Sequence, residues 1–432
     1  MVKLLLIFVG VFAPPFWARA SEYVPRLPTN LAATTVSLLT VNDGSELYSR
    51  FGHTMLRFLD EANEVDFVVN WGEFDFSDPL FIPKFFRGNL IYKMGFSPTK
   101  KAIRYYRDIE HRGIVEDEIA LTHLQKQKLM DKIKWNMKPE NLFYPYQYFR
   151  NNCATIPRDY IDFAVGGALQ KDLGGIIEPT TTYRDYARQN LSVNSFVAWG
   201  IDIIFNGDTD VPLRGWDEMF YPKKLQEHLS NLLSYDDQGL PIAGQLLLSN
   251  RRVLVDLPEF EGMALDGYYL TWVVAGIPLL IVFVSILLRR MAGKRAALRW
   301  QNRVFGIVCI WWSLTAGFFG LTHIWGWFFS LHTDLYNNLN ILLFWPIDFI
   351  VLVYGLRLVI VGGYVGKERW LTRRFWSKFG AAHLVSIPFY VAIACSSLFD
   401  QNTIRVVIFM VPLSLLYYFV MVSLTWHGDS NL

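Results

Sequence analysis

The chain is 432 residues long, with a formal net charge of +2, 52% hydrophobic and 16% aromatic residues, and a positive mean hydropathy. That is too apolar for a wholly soluble protein and too charged for a pure bundle of membrane helices. Charged residues fill the first 260 positions while the remainder is mostly apolar. No basic stripe is interleaved with aromatics, which argues against nucleic acid as a partner.

In chain order, residues 1–20 read as a signal peptide. Lys3 supplies the charge, Leu4 to Ala13 a short apolar core, and Ala18-Arg19-Ala20 a small-residue cleavage site. Residues 21–265 follow as an exported domain. His53 to Leu59 and Val65 to Asn70 flank the polar turn Asp60-Glu61-Ala62-Asn63-Glu64 and suggest a hairpin. Leu90–Gly95 and Ile114–Ala120 add strands. Thr122-His123-Leu124-Gln125 is a capping box that opens a helix with Leu129, Met130, Ile133 and Met137 on one face. Residues 153–165, 181–190 and 216–233 also read as helices, and Gln245–Leu248 with Val253–Leu257 resemble a late hairpin around Ser249-Asn250. This mixture predicts an α+β fold.

From Tyr268 the pattern changes, and residues 266–432 read as an all-α bundle of five transmembrane helices. The apolar runs lie near Tyr268–Leu288, Val304–Trp327, Ile341–Val361, Phe379–Leu398 and Ile404–Leu424. Two connections are basic: Arg289 to Arg303, and Lys367 to Lys378. The other two carry Asp334 and Asp400 but no Lys or Arg. The positive-inside rule puts the basic loops and the C-terminus in the cytoplasm and the N-terminal domain outside. The expected location is the bacterial inner membrane, with that domain in the periplasm.

Cys153 is the only cysteine of the exported part; Cys309 and Cys395 lie in membrane runs. A lone thiol in an oxidising compartment is an inert small residue or a nucleophile. Asn151-Asn152 before it are capping residues, so Cys153 is expected in the first turn of a helix, where N–H groups and the dipole lower a thiol pKa. The same N–H groups would form half of an oxyanion hole. His53 at a strand start, with Gly52 leaving room beside it, is the candidate base. Asn70 on the paired strand is the candidate orienting group, with Glu73 and Asp75 as substitutes.

Three stretches carry a family resemblance: Gly44-Ser45-Glu46-Leu47-Tyr48-Ser49-Arg50-Phe51-Gly52-His53, Asn70-Trp71-Gly72-Glu73-Phe74-Asp75-Phe76, and Asn151-Asn152-Cys153-Ala154. They resemble the Lnb-type lipoprotein N-acyltransferases, and the likeness extends through Thr182-Tyr183-Arg184-Asp185 and the five spans. The resemblance implies a circularly permuted NlpC/papain-like domain, related to lecithin:retinol acyltransferase, with histidine before cysteine in the chain. It also implies a ping-pong reaction in which Cys153 takes an acyl group from a phospholipid donor. The α-amine of a diacylated lipoprotein's N-terminal cysteine then accepts it.

Catalysis is therefore expected from Cys153, His53 and Asn70, and substrate contacts from Tyr48, Arg50, Asn152, Tyr148 and His323. Tyr144, Tyr146, Tyr148 and Phe149 could line an acyl groove or pack a core. Arg50, Arg57 and Arg150 could hold a phosphate or form salt bridges. Asp208 and Asp210 could hold a cation or serve a turn. No Cys/His cluster has metal spacing, so no metal or other cofactor is expected. Asp348, Arg357 and His383 are ionisable residues at membrane depth and need partners. Two other functions fit the same chain: a phospholipase or other lipid transacylase using the same thiol, and a non-catalytic sensor that binds membrane lipids or lipoprotein.

Overall fold

The computed structural model describes residues 23–73, 84, 87–89, 91–175, 181–192, 194–260, 266–292, 298–362, 373–396 and 398–426. The leader, Asp75 and the basic stretches 293–297 and 363–372 lie outside these. Two compact units emerge. One comprises residues 1–183 with 212–262, the other 184–211 with 263–432. The sequence division at 265 therefore differs in one respect, because 184–211 group with the C-terminal helices.

The first unit is α+β. Its strands are β1 (Thr35–Val41), β2 (His53–Asp60), β3 (Val65–Glu73), β4 (Ile91–Pro98), β5 (Ile114–Ile119), β6 (Phe143–Pro145) and β9 (Leu248–Val255). They form one sheet in the order β6-β4-β3-β2-β1-β5-β9, with every neighbour antiparallel. The β2–β3 hairpin is as expected: Asp60 accepts from the Asn63 backbone N–H and side-chain amide, and Glu64 takes the left-handed turn conformation.

Strand alternation gives the sheet two buried faces. Leu38, Leu56, Phe58, Phe67, Val69 and Trp71 share a core with Leu129, Met130 and Ile133 of α2 (His123–Asn136) and Tyr160 and Ile161 of α3 (Thr155–Ala164). On the opposite face Leu39, Val41, Met55 and Val68 pack with Ala102, Tyr105 and Tyr106 of α1 (Thr99–Asp108). Each fully buried Leu or Phe contributes about 1.5–3 kcal/mol. The capping box of α2 is formed, with the Thr122 and Gln125 side chains each accepting the other's backbone N–H.

One expected hairpin is absent. Ser249-Asn250 is no turn, for β9 runs straight through it and pairs with β5. Glu116 faces Arg252 while Glu118 faces Ser249, so Asn250 and Arg251 lie opposite one residue, and Asn250 adopts positive φ. The polar pair is a β-bulge. β8 (Pro241–Leu246) pairs instead with β7 (Leu233–Tyr235). The helix expected over 216–233 is likewise divided into Gly215–Glu218 and Pro222–Ser230, the second opening on Pro222.

The second unit is helical. Gly267–Met291, Arg299–Phe328, Arg374–Ala394 and Ile404–Leu424 are long and apolar enough to cross a membrane. The third expected span is broken: Thr333–Leu342 and Pro346–Val361 form a pair bent by 65°. Pro346, with fixed φ and no N–H, opens the second arm, and the two arms carry the buried polar residues Asn338, Asn340 and Asp348. Asp348 and His383 are both fully buried 3.2 Å apart; Tyr418 Oη donates to Asp348, and Trp312 Nε1 donates to Tyr418 Oη. Two ionisable residues singled out at membrane depth therefore face each other.

Residues 184–211 are fastened into this unit by polar side chains. Fully buried Arg184 donates to both Asp210 carboxylate oxygens and to the carbonyls of Ile201, Asp202, Phe205 and Asn206. Asn338 and Asn340 donate to the Ile203 carbonyl, and Gln401 to that of Phe205. The carbonyls that end the helix Ser195–Ile204 are thus satisfied by side chains. Asp210 serves Arg184, and the Asn206 carboxamide accepts from the Asp208 backbone N–H, so the turn reading of that stretch fits without a cation.

Candidate active site

Gly52 decides where His53 stands. Its φ is +71°, and a Cβ there would lie 2.6 Å from the Val41 carbonyl oxygen, so only glycine lets the chain turn tightly into β2. His53 is the first residue of β2 and is partly open to solvent. Asn70 lies opposite Met55 on β3, one diagonal step from His53 on the same face, and its side chain favours the protonated imidazole. Asn70 is buried, and its side chain also acts on the Glu73 carboxylate at the end of β3, favouring the charged form there against the raising effect of burial. The ladder breaks at Gly72, where an added Cβ would lie 3.7 Å from His53 Cε1.

Cys153 occupies the turn that leads into α3, which begins two residues later at Thr155. The backbone N–H of Thr54, the residue after His53, favours the thiolate form of Cys153. The strand that carries the imidazole therefore also acts on the thiol. Asn152 holds this turn: its Oδ1 accepts from Ala154 and Thr155 N–H at 2.8 and 2.9 Å, and its Nδ2 donates to the Tyr148 and Phe220 carbonyls. All the hydrogen-bonding capacity of Asn152 is spent on the chain itself.

That arrangement corrects the expected electrostatics. The helix-start N–H groups point at Asn152, so they do not bathe the thiol, and burial pushes Cys153 up to about 11. The Thr54 hydrogen bond and the Arg112 charge oppose this rise without overcoming it. Burial, with the Arg112 charge, pushes His53 down to about 3, against the raising effect of Asn70. Both shifts favour a thiol and a neutral imidazole over thiolate and imidazolium. Such a pair can transfer the proton as the sulfur attacks, with the imidazole as general base.

The other expected contacts are dispersed. Tyr48 is exposed and donates to Glu110 at 2.9 Å. Arg50 is buried with its guanidinium 4.2 Å over the Phe260 ring, and its Nη2 has no partner among the described residues. Arg57 is closed into ion pairs with Asp66 and Glu116, and exposed Arg150 lies 5.9 Å over Tyr183. Tyr148 packs edge-on to Tyr146. His323 belongs to the helical unit, where it is buried near Phe344.

Arg112, Tyr92 and Tyr106 also gather at the thiol, and reading the sequence missed them. The Tyr106 ring lies 6.2 Å from that of His53, and a Cys153 thiolate would raise the pKa of Tyr92, Tyr106, Tyr144 and Tyr146. Tyr92 stacks on Tyr146 at 4.4 Å, opposite Tyr144 across the β4–β6 pair. Arg112 is buried over the Tyr106 ring at 5.3 Å; its Nε donates to the Asn42 carbonyl and its Nη1 to Glu110. Its Nη2 is buried with no partner among the described residues. The aromatic run 144–149 was a visible signal for part of this wall; nothing around Arg112 marked it.

Residues 26–189 match the family model of the Lnb N-terminal periplasmic domain. No curated protein and no solved structure matches the chain. With its apolar helices, the chain is a multi-pass membrane protein carrying a domain of periplasmic type.

Proposed function

From the premise that residues 26–189 belong to the Lnb N-terminal periplasmic domain family, we propose that the protein is a membrane-bound thiol acyltransferase of lipoprotein maturation. Cys153 attacks an ester carbonyl of a phospholipid, His53 takes the thiol proton and returns it to the departing glycerol oxygen, and an acyl-thioester remains. The α-amine of a diacylglyceryl-modified N-terminal cysteine attacks that thioester, His53 takes the amine proton, and the thiol is restored. Asn70 orients the imidazole. The single observation that carries the reading is that Thr54, next to His53 at the start of β2, acts on the Cys153 thiol while Asn70 on the paired strand acts on the imidazole.

The chain order, histidine on a strand and cysteine later before a helix, supports a permuted papain-like fold. The basic connections support an inner-membrane orientation with the C-terminus in the cytoplasm. Anchoring suits the chemistry, because extracting acyl chains from a bilayer costs about 0.8 kcal/mol per CH₂.

The test is turnover by the full-length protein in phospholipid vesicles with a synthetic diacylated lipopeptide, followed by mass spectrometry. A triacylated lipopeptide from wild type and none from Cys153→Ser is the expected result. Free fatty acid with no acylated lipopeptide would make the protein a phospholipase. Neither product, with lipopeptide still bound, would favour a non-catalytic lipoprotein-binding role.

A further inference from the structure

We propose that Glu73 is a positioning residue of this site, whose carboxylate fixes which end of the Asn70 carboxamide is presented to His53. The inference rests on Cys153 acting as the nucleophile and His53 as its base, as proposed above.

Side chains alternate between the faces of a strand, so a regular β3 would send Glu73 to the face of Trp71, away from Asn70. The irregularity at Gly72 prevents this. Asn70 pairs with Gly95 and Trp71 with Met94, but the next residue, Lys93, pairs with Glu73 and not with Gly72. Paired residues share a face, and Lys93 lies two residues from Gly95, so the extra residue returns Glu73 to the face of Asn70. Lys101 of α1, the helix packed on that face, acts on the same carboxylate.

Gly95 then makes room for it. A Cβ at Gly95 would lie within 2.5 Å of every atom of the Glu73 carboxyl group, so the carboxylate fills the space that a side chain opposite Asn70 would take. Paired positions hold their Cβ atoms about 4.5–5.5 Å apart, which brings the carboxylate within hydrogen-bonding reach of the Asn70 carboxamide. The Lys93 ammonium stands 4.0 Å from Glu73 Oε2, too far to hydrogen-bond that oxygen.

A carboxamide has a donor end and an acceptor end, while an ionised carboxylate only accepts. Beside Glu73 the favoured orientation of Asn70 turns its NH₂ group to the carboxylate, since Nδ2 is shut off from solvent, and leaves Oδ1 for an imidazole N–H. That orientation selects the tautomer whose other ring nitrogen is open to the thiol proton. The electrostatics agree, because the Asn70 side chain favours both the protonated imidazole and the charged Glu73 carboxylate. Glu73 thus acts on the base through Asn70 and does not replace it.

The experiment compares full-length wild type, Glu73→Ala, Gly95→Ala and the double variant. Gly95 lacks positive φ, and the nearest atoms an added methyl meets are the end of a flexible side chain, so Gly95→Ala displaces the carboxylate without removing it. Two reactions of Cys153 are followed: single-turnover acylation by a diacyl phosphatidylethanolamine, and alkylation by iodoacetamide, which draws on the thiolate alone. Each single variant should acylate about tenfold more slowly at saturating lipid, with the half-saturating lipid concentration and the alkylation rate unchanged. The double variant should be no slower than either single one, because both changes remove the same contact. Equal acylation by wild type and Glu73→Ala would overturn the proposal. So would a double variant slowed by the product of the two single effects, or a raised half-saturation at an unchanged maximal rate. A parallel loss of alkylation would make Glu73 a structural prop and would overturn it too. Wild type that never acquires an acyl group would instead sink the nucleophile reading, and this one with it.

Discussion

Two buried arginines make opposite use of their donors. Arg184, in the helical unit, spends every N–H group on Asp210 and four carbonyls. Arg112, whose charge acts on the thiol, has Nη2 buried with no partner among the described residues. Unmade hydrogen bonds are costly in a folded chain, so full satisfaction marks a structural fastening. Unpartnered buried polar atoms also occur in the helical unit, on Gln301, Trp376 and Tyr417 among others, so the contrast is between these two arginines themselves. The comparison separates the two roles where burial alone does not, since Arg112 is 4% and Arg184 0% exposed.

Substitutions can break that comparison. The largest effect is expected at the base: His53→Ala should lower the lipopeptide acylation rate about 10²–10⁴-fold with little change in thermal unfolding. Arg184→Met should do the reverse. It leaves the Asp210 carboxylate buried without its partner and should cost about 3–5 kcal/mol of stability, read as a lower unfolding temperature in detergent. Asn70→Ala should slow turnover by about 10²-fold through misplacement of the imidazole; near-wild-type turnover would mean that another residue orients His53. Arg112→Lys keeps the charge but loses the fork, so a slowing of roughly tenfold is expected. If Arg112→Lys instead lowers the unfolding temperature as much as Arg184→Met does, the contrast between the two arginines fails.

The resting protonation state gives a pH test. With the thiol raised to about 11 and the imidazole lowered to about 3, the thiolate exists only at alkaline pH in the free enzyme. Iodoacetamide alkylation of Cys153 should climb steadily from pH 7 to 9, by about tenfold per unit, without a plateau. A plateau with a neutral midpoint would mean a preformed ion pair. Stability carries a matching sign. The folded imidazole resists protonation, so stability is fully present above the unfolded value of about 6.5 and is lost as pH falls toward 3.

The β2–β3 hairpin, the α2 capping box and four of the five spans were legible because their signals are local: a polar turn, a Thr-to-Gln spacing, an uninterrupted apolar run. β1 was not read as a strand. Its run Thr35–Val41 is buried on both faces, so it lacks the alternation that marks a half-exposed strand. The segment 184–211 looked like part of the exported domain because its apolar helix is only ten residues long, and what fastens it are Asn338, Asn340 and Gln401, far along the chain. Within the site, Cys153, His53 and Asn70 stood out by residue type and motif. Arg112 did not, because its position depends on Asn42, Glu110 and Tyr106 together. The thiol's raised pKa was also invisible: Asn152 is a fine cap in sequence, and only the folded turn reveals that it caps Ala154 and Thr155 at the expense of Cys153.

The most direct test of the central claim is intact-mass spectrometry of the full-length protein after incubation with a phospholipid of defined acyl chains, wild type beside Cys153→Ser. The account predicts that wild type gains the mass of one acyl group, that the mutant gains none, and that a diacylated lipopeptide removes the adduct. Wild type that stays unmodified while still acylating lipopeptide would contradict it, because the acyl group would then travel without a Cys153 thioester.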